Sequence, residues 1–189
     1  MFQLVIFDVD GTLAESYTLN LLPGVKEFFE YAYKAGCPQR PRIAIATNQG
    51  GVGMRHWMEK ADFGKPEEYP TQEQIEQRIQ RLVAALGGDP SLPVYVSFSY
   101  QTRRGKWSPV PREERSNPRW DPRWRKPQPG MLLQAMADAG VEPHQTLFVG
   151  DSQEDQDAAI AAGCAFEWAG EFFGRQWKDC EQLKINLIR

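Results

Sequence analysis

Apolar and polar residues along the chain follow two alternating patterns, one typical of buried strands and the other of amphipathic helices. Short apolar runs predict five strands, over residues 2–7, 42–46, 93–100, 146–150 and 164–168. Apolar residues at helical spacing predict four helices, from Pro23 to about Gly36, from Thr71 to Leu86, from Pro129 to about Ala139 and from Ser152 to Ala162. This alternation predicts an α/β fold, with a Rossmann-like parallel β-sheet sandwiched by helices.

Two irregular segments interrupt the alternation, over residues 50–70 and 101–125. Each follows the carboxyl end of a predicted strand, where open parallel sheets bind their ligands. Long loops inside a domain are often functional. The two segments are therefore the expected substrate loops, with Arg55 and Arg125 as possible contact residues.

The segment 101–125 also carries an unusual charge. From Gln101 to Lys126 there are nine Lys or Arg and three Asp or Glu, although the whole chain has a net charge of −3. Three tryptophans, Trp107, Trp120 and Trp124, are interleaved with the basic residues. Basic and aromatic side chains together can track phosphates and stack bases. Equally, the tryptophans can anchor the loop to the domain, with arginines packed on them.

Composition limits the remaining possibilities. With 189 residues, the chain is expected to form a single domain over residues 1–189, with the segment 101–125 as a loop insertion. Three scattered cysteines and the lack of a CxxC motif argue against a disulfide framework and a structural zinc site. No apolar run approaches the ~20 residues of a membrane span, and no signal peptide is visible, so a cytoplasmic location without a membrane partner is expected.

Two aspartates follow the first predicted strand in the segment FDVDGTL, residues 7–13. Residues two apart on a strand point the same way, so Asp8 and Asp10 are expected to share one face at its end. Such a pair suits a hard cation such as Mg²⁺, which takes carboxylate, backbone and water oxygens. Two solvated aspartates in a surface turn would give the same pattern.

Polar side chains also follow two further predicted strands. Thr47 and Asn48 come after AIA, and Asp151 follows FVG, with Asp155 four residues later. Lys126 precedes the helix that Pro129 introduces. Each has an ordinary interpretation as a turn residue, a solvated lysine or a helix cap. Their convergence at one edge of one sheet is better explained by chemistry on an anionic substrate.

The order DxDGT, TN, KP and GDSxxD resembles the haloacid dehalogenase (HAD) superfamily of phosphatases. Residues 47–51 (TNQGG) and 125–131 (RKPQPGM) resemble its histidinol-phosphate, heptose-bisphosphate and polynucleotide 3′-phosphatases, the capless subclass IIIA. Only 39 positions separate Asp8 from Thr47, which leaves room for one helix and one strand and predicts a capless, open site. The Cys/His zinc loop that often precedes KP in the sugar phosphatases is missing here.

The resemblance implies a role for each residue. Asp8 would be the nucleophile that forms an aspartyl phosphate. Asp10 would protonate the leaving oxygen and later activate water, which requires a raised pKa.

The remaining roles concern phosphate and metal. Thr47 and Asn48 would bind the phosphate with Lys126, which neutralises charge. Asp151 would bind Mg²⁺ together with the Asp8 carboxylate and the Asp10 backbone carbonyl. Asp155 would orient Lys126 or a metal-bound water.

Three functions remain open at this point. The leading prediction is an Mg²⁺-dependent phosphatase that acts on a phosphorylated small molecule, such as a sugar phosphate. The alternative is a polynucleotide 3′-phosphatase that acts on DNA or RNA ends. A remote alternative is a non-enzymatic phospho-receiver module, although receivers carry their phosphoacceptor aspartate after the third strand, which here ends in SFSY.

Overall fold

The five predicted strands form one parallel sheet in the order β3-β2-β1-β4-β5. The computed structural model describes residues 2–33, 40–87 and 90–175. The strands are β1 (Leu4–Phe7), β2 (Arg42–Asn48), β3 (Val94–Ser97), β4 (Thr146–Gly150) and β5 (Ala165–Trp168). The central strand β1 pairs with β2 on one side and β4 on the other, so the carboxyl ends of these three strands meet at one edge.

The described residues form six α-helices, which cover both faces of the sheet. They are α1 (Val25–Ala32), α2 (Gly51–Ala61), α3 (Gln72–Ala85), α4 (Gly130–Ala139), α5 (Gln153–Ala162) and α6 (Ala169–Phe173). One hydrophobic cluster joins α1, α3 and α6 to the sheet, and a second joins α4 and α5 to its other face. Among the described residues, no helix is both long and apolar enough to cross a bilayer.

Strand β1 is buried on both faces, which fixes the position of the residues that follow it. Val5 and Phe7 face the first cluster, whereas Leu4 and Ile6 face the second. The ring of Phe7 lies 5.5–5.7 Å from four other phenylalanine rings, contributed by α1 and α6. Aromatic contacts of this kind add to the burial of apolar area. The tight packing of β1 therefore fixes the residues that follow it at the sheet edge.

Helix α2 lies within residues 50–70, where the sequence predicted no regular structure. The three glycines at its start were interpreted as part of an irregular loop. At Gly53, however, a Cβ atom would lie 2.3 Å from the Phe98 carbonyl oxygen. The helix therefore approaches the backbone after β3 so closely that only glycine fits there. The glycine marks a packing contact between two elements rather than a break in the helix.

The third strand is shorter than predicted, and the segment after it has no regular strand. The Phe98 amide donates to the Arg119 carbonyl at 2.7 Å instead of extending the sheet. The loop contains three single 3₁₀ turns, over Arg112–Glu114, Pro118–Trp120 and Pro122–Trp124. The predicted end of the first helix, near Gly36, lies outside the described residues.

Candidate active site

Asp8 follows β1 directly and lies at the centre of the sheet edge. Its amide donates to the Val149 carbonyl of β4 at 3.0 Å, which continues the strand pairing one residue further. The residue is 6% exposed, and its side chain accepts a hydrogen bond from Lys126 Nζ at 2.5 Å. Burial raises the pKa of the Asp8 carboxyl to about 7, and Asp155 adds to the rise, although Lys126 opposes it. A buried carboxylate in this position calls for additional positive charge.

Lys126 connects three parts of the site. Its Nζ donates to Asp8 at 2.5 Å, to Asp155 at 2.6 Å and to the Ala46 carbonyl of β2 at 3.0 Å. All three ammonium hydrogens are thereby used. Burial alone would lower the pKa of Lys126, but the two carboxylates outweigh it and raise the pKa above its ordinary value. The lysine is therefore held as a cation, with Asp155 orienting it toward Asp8.

The carboxylates of Asp8, Asp151 and Asp155 form a cluster that fits a hard cation. One oxygen from each lies within 4.8 Å of the others. Partial burial and then the charge of Asp155 raise the pKa of Asp151, the most exposed of the three. At Gly11, with a φ of +84°, a Cβ atom would lie 2.0 Å from Asp151 Oδ2. Because Gly11 has no side chain, the Asp151 carboxylate can lie against it. The three carboxylates together offer only oxygen donors, which Mg²⁺ prefers.

Asp155 has a second contact that fixes its side chain. The amide and hydroxyl of Ser152 donate to Asp155 Oδ2 at 3.1 and 2.6 Å, in the capping box at the start of α5. Its other oxygen is left for Lys126. Asp155 therefore positions the lysine through helix capping, in agreement with its predicted supporting place.

Asp10 lies in a different environment from the one that the sequence predicted. Oδ1 accepts from Arg78 Nη2 at 2.6 Å and from the Tyr17 amide at 2.9 Å. Oδ2 accepts from Gln49 Nε2 at 2.7 Å and from Arg78 Nη1 at 3.3 Å. Burial would raise the pKa of Asp10, but the hydrogen bonds from Arg78, Tyr17 and Gln49 outweigh it and lower the pKa. The expectation of a raised pKa in an acidic environment was wrong, because a guanidinium faces this carboxylate.

The Asp10 side chain is also separate from the carboxylate cluster. That cluster contains Asp155 rather than Asp10. The predicted metal contact of Asp10 was through its backbone carbonyl, and it stays a prediction.

Thr47 and Asn48 end β2, beside β1. Thr47 is buried, and its hydroxyl accepts from Gln49 Nε2 at 3.0 Å. The Asn48 amide group donates to the Lys126 carbonyl at 3.0 Å and to Glu154 at 3.2 Å, and its oxygen accepts from the Lys126 amide at 3.0 Å. Both amide hydrogens are used, so the Asn48 side chain holds the Lys126 backbone and has no donor left for phosphate. The side chain therefore positions Lys126, and the predicted phosphate contact of Asn48 stays a prediction.

The two arginines predicted on the substrate loops occupy different places. Arg55, on α2, donates to the Pro66 and Tyr69 carbonyls at 3.2 and 2.9 Å and pairs with Glu59. It therefore stabilises the segment after α2 rather than facing the site. Arg125 donates to the Ser99 carbonyl at 3.3 Å, lies 3.8 Å from Glu154 and lines a neighbouring cleft.

This cleft has a volume of about 770 Å³ and adjoins the site at Arg78, which bonds to Asp10. Its walls come from the loop after β1, from α2 and α3 and from the two predicted substrate loops, and they include Tyr17, Met54, Tyr69, Arg78, Tyr100 and Arg125. The cleft is large enough to take a small metabolite. Both long segments therefore contribute to its walls, as the sequence indicated.

Two of the three tryptophans in the segment 101–125, Trp120 and Trp124, pack inward. Trp120 is 4% exposed and contacts the rings of Phe98 and His56 at 5.8 and 5.7 Å. Trp124 packs against the second hydrophobic cluster and lies 6.2 Å from the Tyr95 ring. Of the two interpretations left open by the sequence, anchoring therefore accounts for the positions of these two tryptophans.

Two residues of the site escaped the sequence analysis, Gln49 and Arg78. Gln49 lies inside the TNQGG segment, where only the first two residues were assigned roles. Arg78 lies on the apolar face of α3, one residue before Ile79 and three after Ile75. A charged residue on a buried helix face needs a charged partner, and that signal was available in the sequence.

Comparison with known proteins finds similarity to phosphatases of one superfamily. A family model described as HAD-hydrolase-like matches residues 123–167. D-glycero-beta-D-manno-heptose-1,7-bisphosphate 7-phosphatase from Pseudomonas aeruginosa is 28% identical over 170 residues, which cover 86% of this chain and 78% of that protein. The chain is therefore similar to HAD-like hydrolases over most of its length. Phosphoglycolate phosphatase 1 from the same species is 51% identical over 68 residues, 34% of this chain and 25% of that protein.

A solved structure of a HAD-like phosphatase has the same fold. D,D-heptose 1,7-bisphosphate phosphatase from B. bronchiseptica, complexed with magnesium and phosphate, aligns with a TM-score of 0.55 and 23% identity. The alignment covers 87% of this chain and 79% of that one. The predicted fold is therefore confirmed, and the similar proteins agree with the predicted family and with the predicted class of enzyme, a phosphoric monoester hydrolase.

Proposed function

We propose that this HAD-like hydrolase is an Mg²⁺-dependent phosphatase that acts on a sugar phosphate or a similar small metabolite through an aspartyl-phosphate intermediate. The observation that carries the proposal is the buried contact between Asp8 and Lys126, beside Asp151 and Asp155. A carboxylate with a cation at 2.5 Å and a site for a second cation nearby suits attack on a phosphate dianion.

The reaction would proceed in two displacements. A carboxylate oxygen of Asp8 attacks phosphorus while the ester oxygen leaves with a proton from Asp10. Water then attacks the same phosphorus, gives its proton to Asp10 and breaks the bond to Asp8, which releases inorganic phosphate. Covalent capture replaces one difficult displacement with two easier ones.

The surrounding residues would lower the charge repulsion in each step. Lys126 neutralises Asp8 and the transferring oxygens, while Asn48 and Asp155 hold the lysine in place. The Thr47 hydroxyl would donate to a phosphate oxygen. Asp8 and Asp151, with the Asp10 carbonyl, would hold Mg²⁺, which supplies positive charge beside the phosphate when bound.

The proposed substrate class rests on the cleft and on the relatives. The cleft of about 770 Å³ can take the leaving group of a small ester. The similar enzyme from P. aeruginosa is named for a heptose bisphosphate. Between β1 and β2, the described residues contain the single helix α1, which supports a site without a cap domain. The inward position of Trp120 and Trp124 gives the polynucleotide alternative no additional support.

A panel of esters tests the proposal. Phosphate release is measured with Mg²⁺ from p-nitrophenyl phosphate, from hexose mono- and bisphosphates and from a 3′-phosphorylated oligonucleotide. We expect release from the sugar esters, loss of activity in EDTA and recovery with added Mg²⁺.

Two aspartate variants identify the nucleophile. Asp8→Asn should lower kcat by at least ~10³-fold. Asp62→Asn makes the same change at an exposed aspartate and should leave kcat unchanged. Activity that survives Asp8→Asn would refute the assignment of the nucleophile, and release from the oligonucleotide alone would refute the substrate class.

A further inference from the structure

Among the described residues, Arg78 is the one whose side chain bonds to the proposed acid–base group and which also lines the cleft. It reaches from α3 to Asp10 with two nitrogens, at 2.6 and 3.3 Å. Its Nε donates to the Thr18 carbonyl at 3.1 Å, so the same side chain also holds the loop after β1. The guanidinium forms part of the cleft wall. Arg78 therefore forms a bidentate ion pair with Asp10 and lies where a ligand in the cleft could contact it.

The contacts of Asp10 are complete in this arrangement. A carboxylate offers about four acceptor positions. Two hydrogen bonds from Arg78, one from the Tyr17 amide and one from Gln49 use four of them. No position is left from which a proton could be directed to a leaving oxygen. Asp10 must therefore exchange at least one of these partners before it can act on an ester.

Arg78 is the partner that a substrate can displace. The Tyr17 amide belongs to the backbone, and Gln49 is 4% exposed and is also bonded to Thr47. Arg78, by contrast, has a long side chain that is 13% exposed, and the residue lines the cleft. A phosphate or carboxylate on the leaving group would compete with Asp10 for it, because guanidinium binds both kinds of anion in a bidentate manner.

We propose that Arg78 is a positioning residue that restrains Asp10 and releases it when an anionic group on the leaving part of the substrate binds in the cleft. The inference rests on the proposed function, since it concerns the same acid–base group. It names the substrate class more narrowly, as phosphate monoesters whose leaving group carries a second anionic group. The second anion then contributes to turnover as well as to binding.

The charges around the cleft are consistent with an exchange of partners. Arg125, the other arginine of the cleft wall, is already bonded to the Ser99 carbonyl and lies near Glu154. Glu67 and Glu68 also line the cleft, and Glu68 pairs with Lys65 at 3.0 Å. An incoming anion therefore has to compete with resident carboxylates, and a phosphate dianion does so more strongly than a single carboxylate does.

A matched pair of primary alkyl esters tests the proposal. Fructose 6-phosphate has a neutral leaving group, whereas fructose 1,6-bisphosphate has an anionic one. For the unmodified chain we expect kcat/KM to be at least ~10-fold higher for the bisphosphate, the factor expected for hydrogen bonds to a charged group. In Arg78→Gln this ratio should fall toward two, the statistical factor for two esters. Its kcat for fructose 6-phosphate should stay the same or rise, while kcat/KM for the bisphosphate falls. Arg78→Lys, which keeps the charge, should give an intermediate ratio.

Two controls separate the possible outcomes. Arg81→Gln makes the same change at an exposed position of the same helix and should not alter the ratio. An equal fall of kcat/KM for both fructose esters in Arg78→Gln, or an unchanged ratio, would overturn the proposal. p-Nitrophenyl phosphate has a leaving group that needs no proton, so its first displacement depends on Asp8 and Lys126 without the acid step of Asp10. If the unmodified chain does not cleave p-nitrophenyl phosphate, the proposed function is refuted. The proposed role of Arg78 is then refuted as well, because it rests on that function.

Discussion

Replacing Lys126 by methionine tests the electrostatics of the site separately from its activity. Methionine keeps most of the length and apolar volume of the lysine but removes the ammonium group. The side chain is 2% exposed and contacts Asp8 and Asp155 at 2.5 and 2.6 Å. Removal of the cation leaves these two buried carboxylates facing each other without compensation. The chain is therefore expected to lose stability, in addition to the activity proposed above.

The magnitude follows from burial. Removal of one partner of a buried ion pair typically lowers the free energy of unfolding by about 3–5 kcal/mol. Lys65→Met is the matched control, because Lys65 forms a similar pair with Glu68 at 3.0 Å while its side chain is 69% exposed. Exposed pairs contribute about 0–1 kcal/mol. The two Lys→Met changes should therefore differ by several kcal/mol.

The assay is urea unfolding at pH 7 in EDTA, so that no divalent cation replaces the lysine. Adding Asp8→Asn to Lys126→Met should recover at least ~1 kcal/mol, because it removes one of the uncompensated charges. A loss of less than ~1 kcal/mol in Lys126→Met, or no recovery in the double variant, would refute this account of the site.

The loss in Lys126→Met should also depend on pH. The pKa of Asp8 is raised to about 7 in the folded chain, above its unfolded value, and it rises further without the lysine. The stabilisation from protonated Asp8 is then complete below about pH 4 and lost as the pH rises through the folded pKa. Lys126 itself has a raised pKa, so its contribution stays constant over this range. The variant should therefore fall further below the unmodified chain at pH 8 than at pH 5.

Three further changes test individual contacts. Asn48→Ala removes both hydrogen bonds to the Lys126 backbone and should lower kcat on p-nitrophenyl phosphate about tenfold, whereas a change confined to KM would contradict this. Gly11→Ala brings a Cβ to 2.0 Å from Asp151 Oδ2. In a titration, it should raise the Mg²⁺ concentration needed for half activation at least tenfold. An unchanged concentration would count against the metal site. Arg55→Gln should lower the melting temperature by several degrees, for a loss of about 1–3 kcal/mol, and leave KM within about twofold; a large rise in KM would restore its predicted place on the substrate.

The centre of the site was predictable because it depends on topology. In a parallel sheet the carboxyl ends of neighbouring strands meet at one edge. Asp8 and Asp151 follow β1 and β4, and Thr47 lies at the end of β2; these three strands are neighbours. Polar residues at strand ends therefore sufficed to bring them together, and Lys126 was placed by its motif. No relative rotation of helices had to be known.

The periphery of the site was not predictable in the same way. The pKa of Asp10 depends on Arg78, which comes from α3 and is positioned by the rotation of that helix on the sheet. Helix α2 was missed because Gly53 fits a close approach to Phe98, and a glycine in a sequence gives no indication of what it approaches. Tertiary contacts of single side chains decided both points.

The pairing of Leu4 with Thr146 has a consequence for synthesis of the chain on the ribosome. Strands β1, β2 and β3 leave the ribosome early, but one side of β1 waits for β4, which lies far along the chain. During that interval an apolar strand has an open edge, which is the kind of surface that aggregates or binds chaperones. Asp8 and Lys126 cannot meet Asp155 until translation has passed α5. The enzyme therefore gains its activity only when most of its chain has been made.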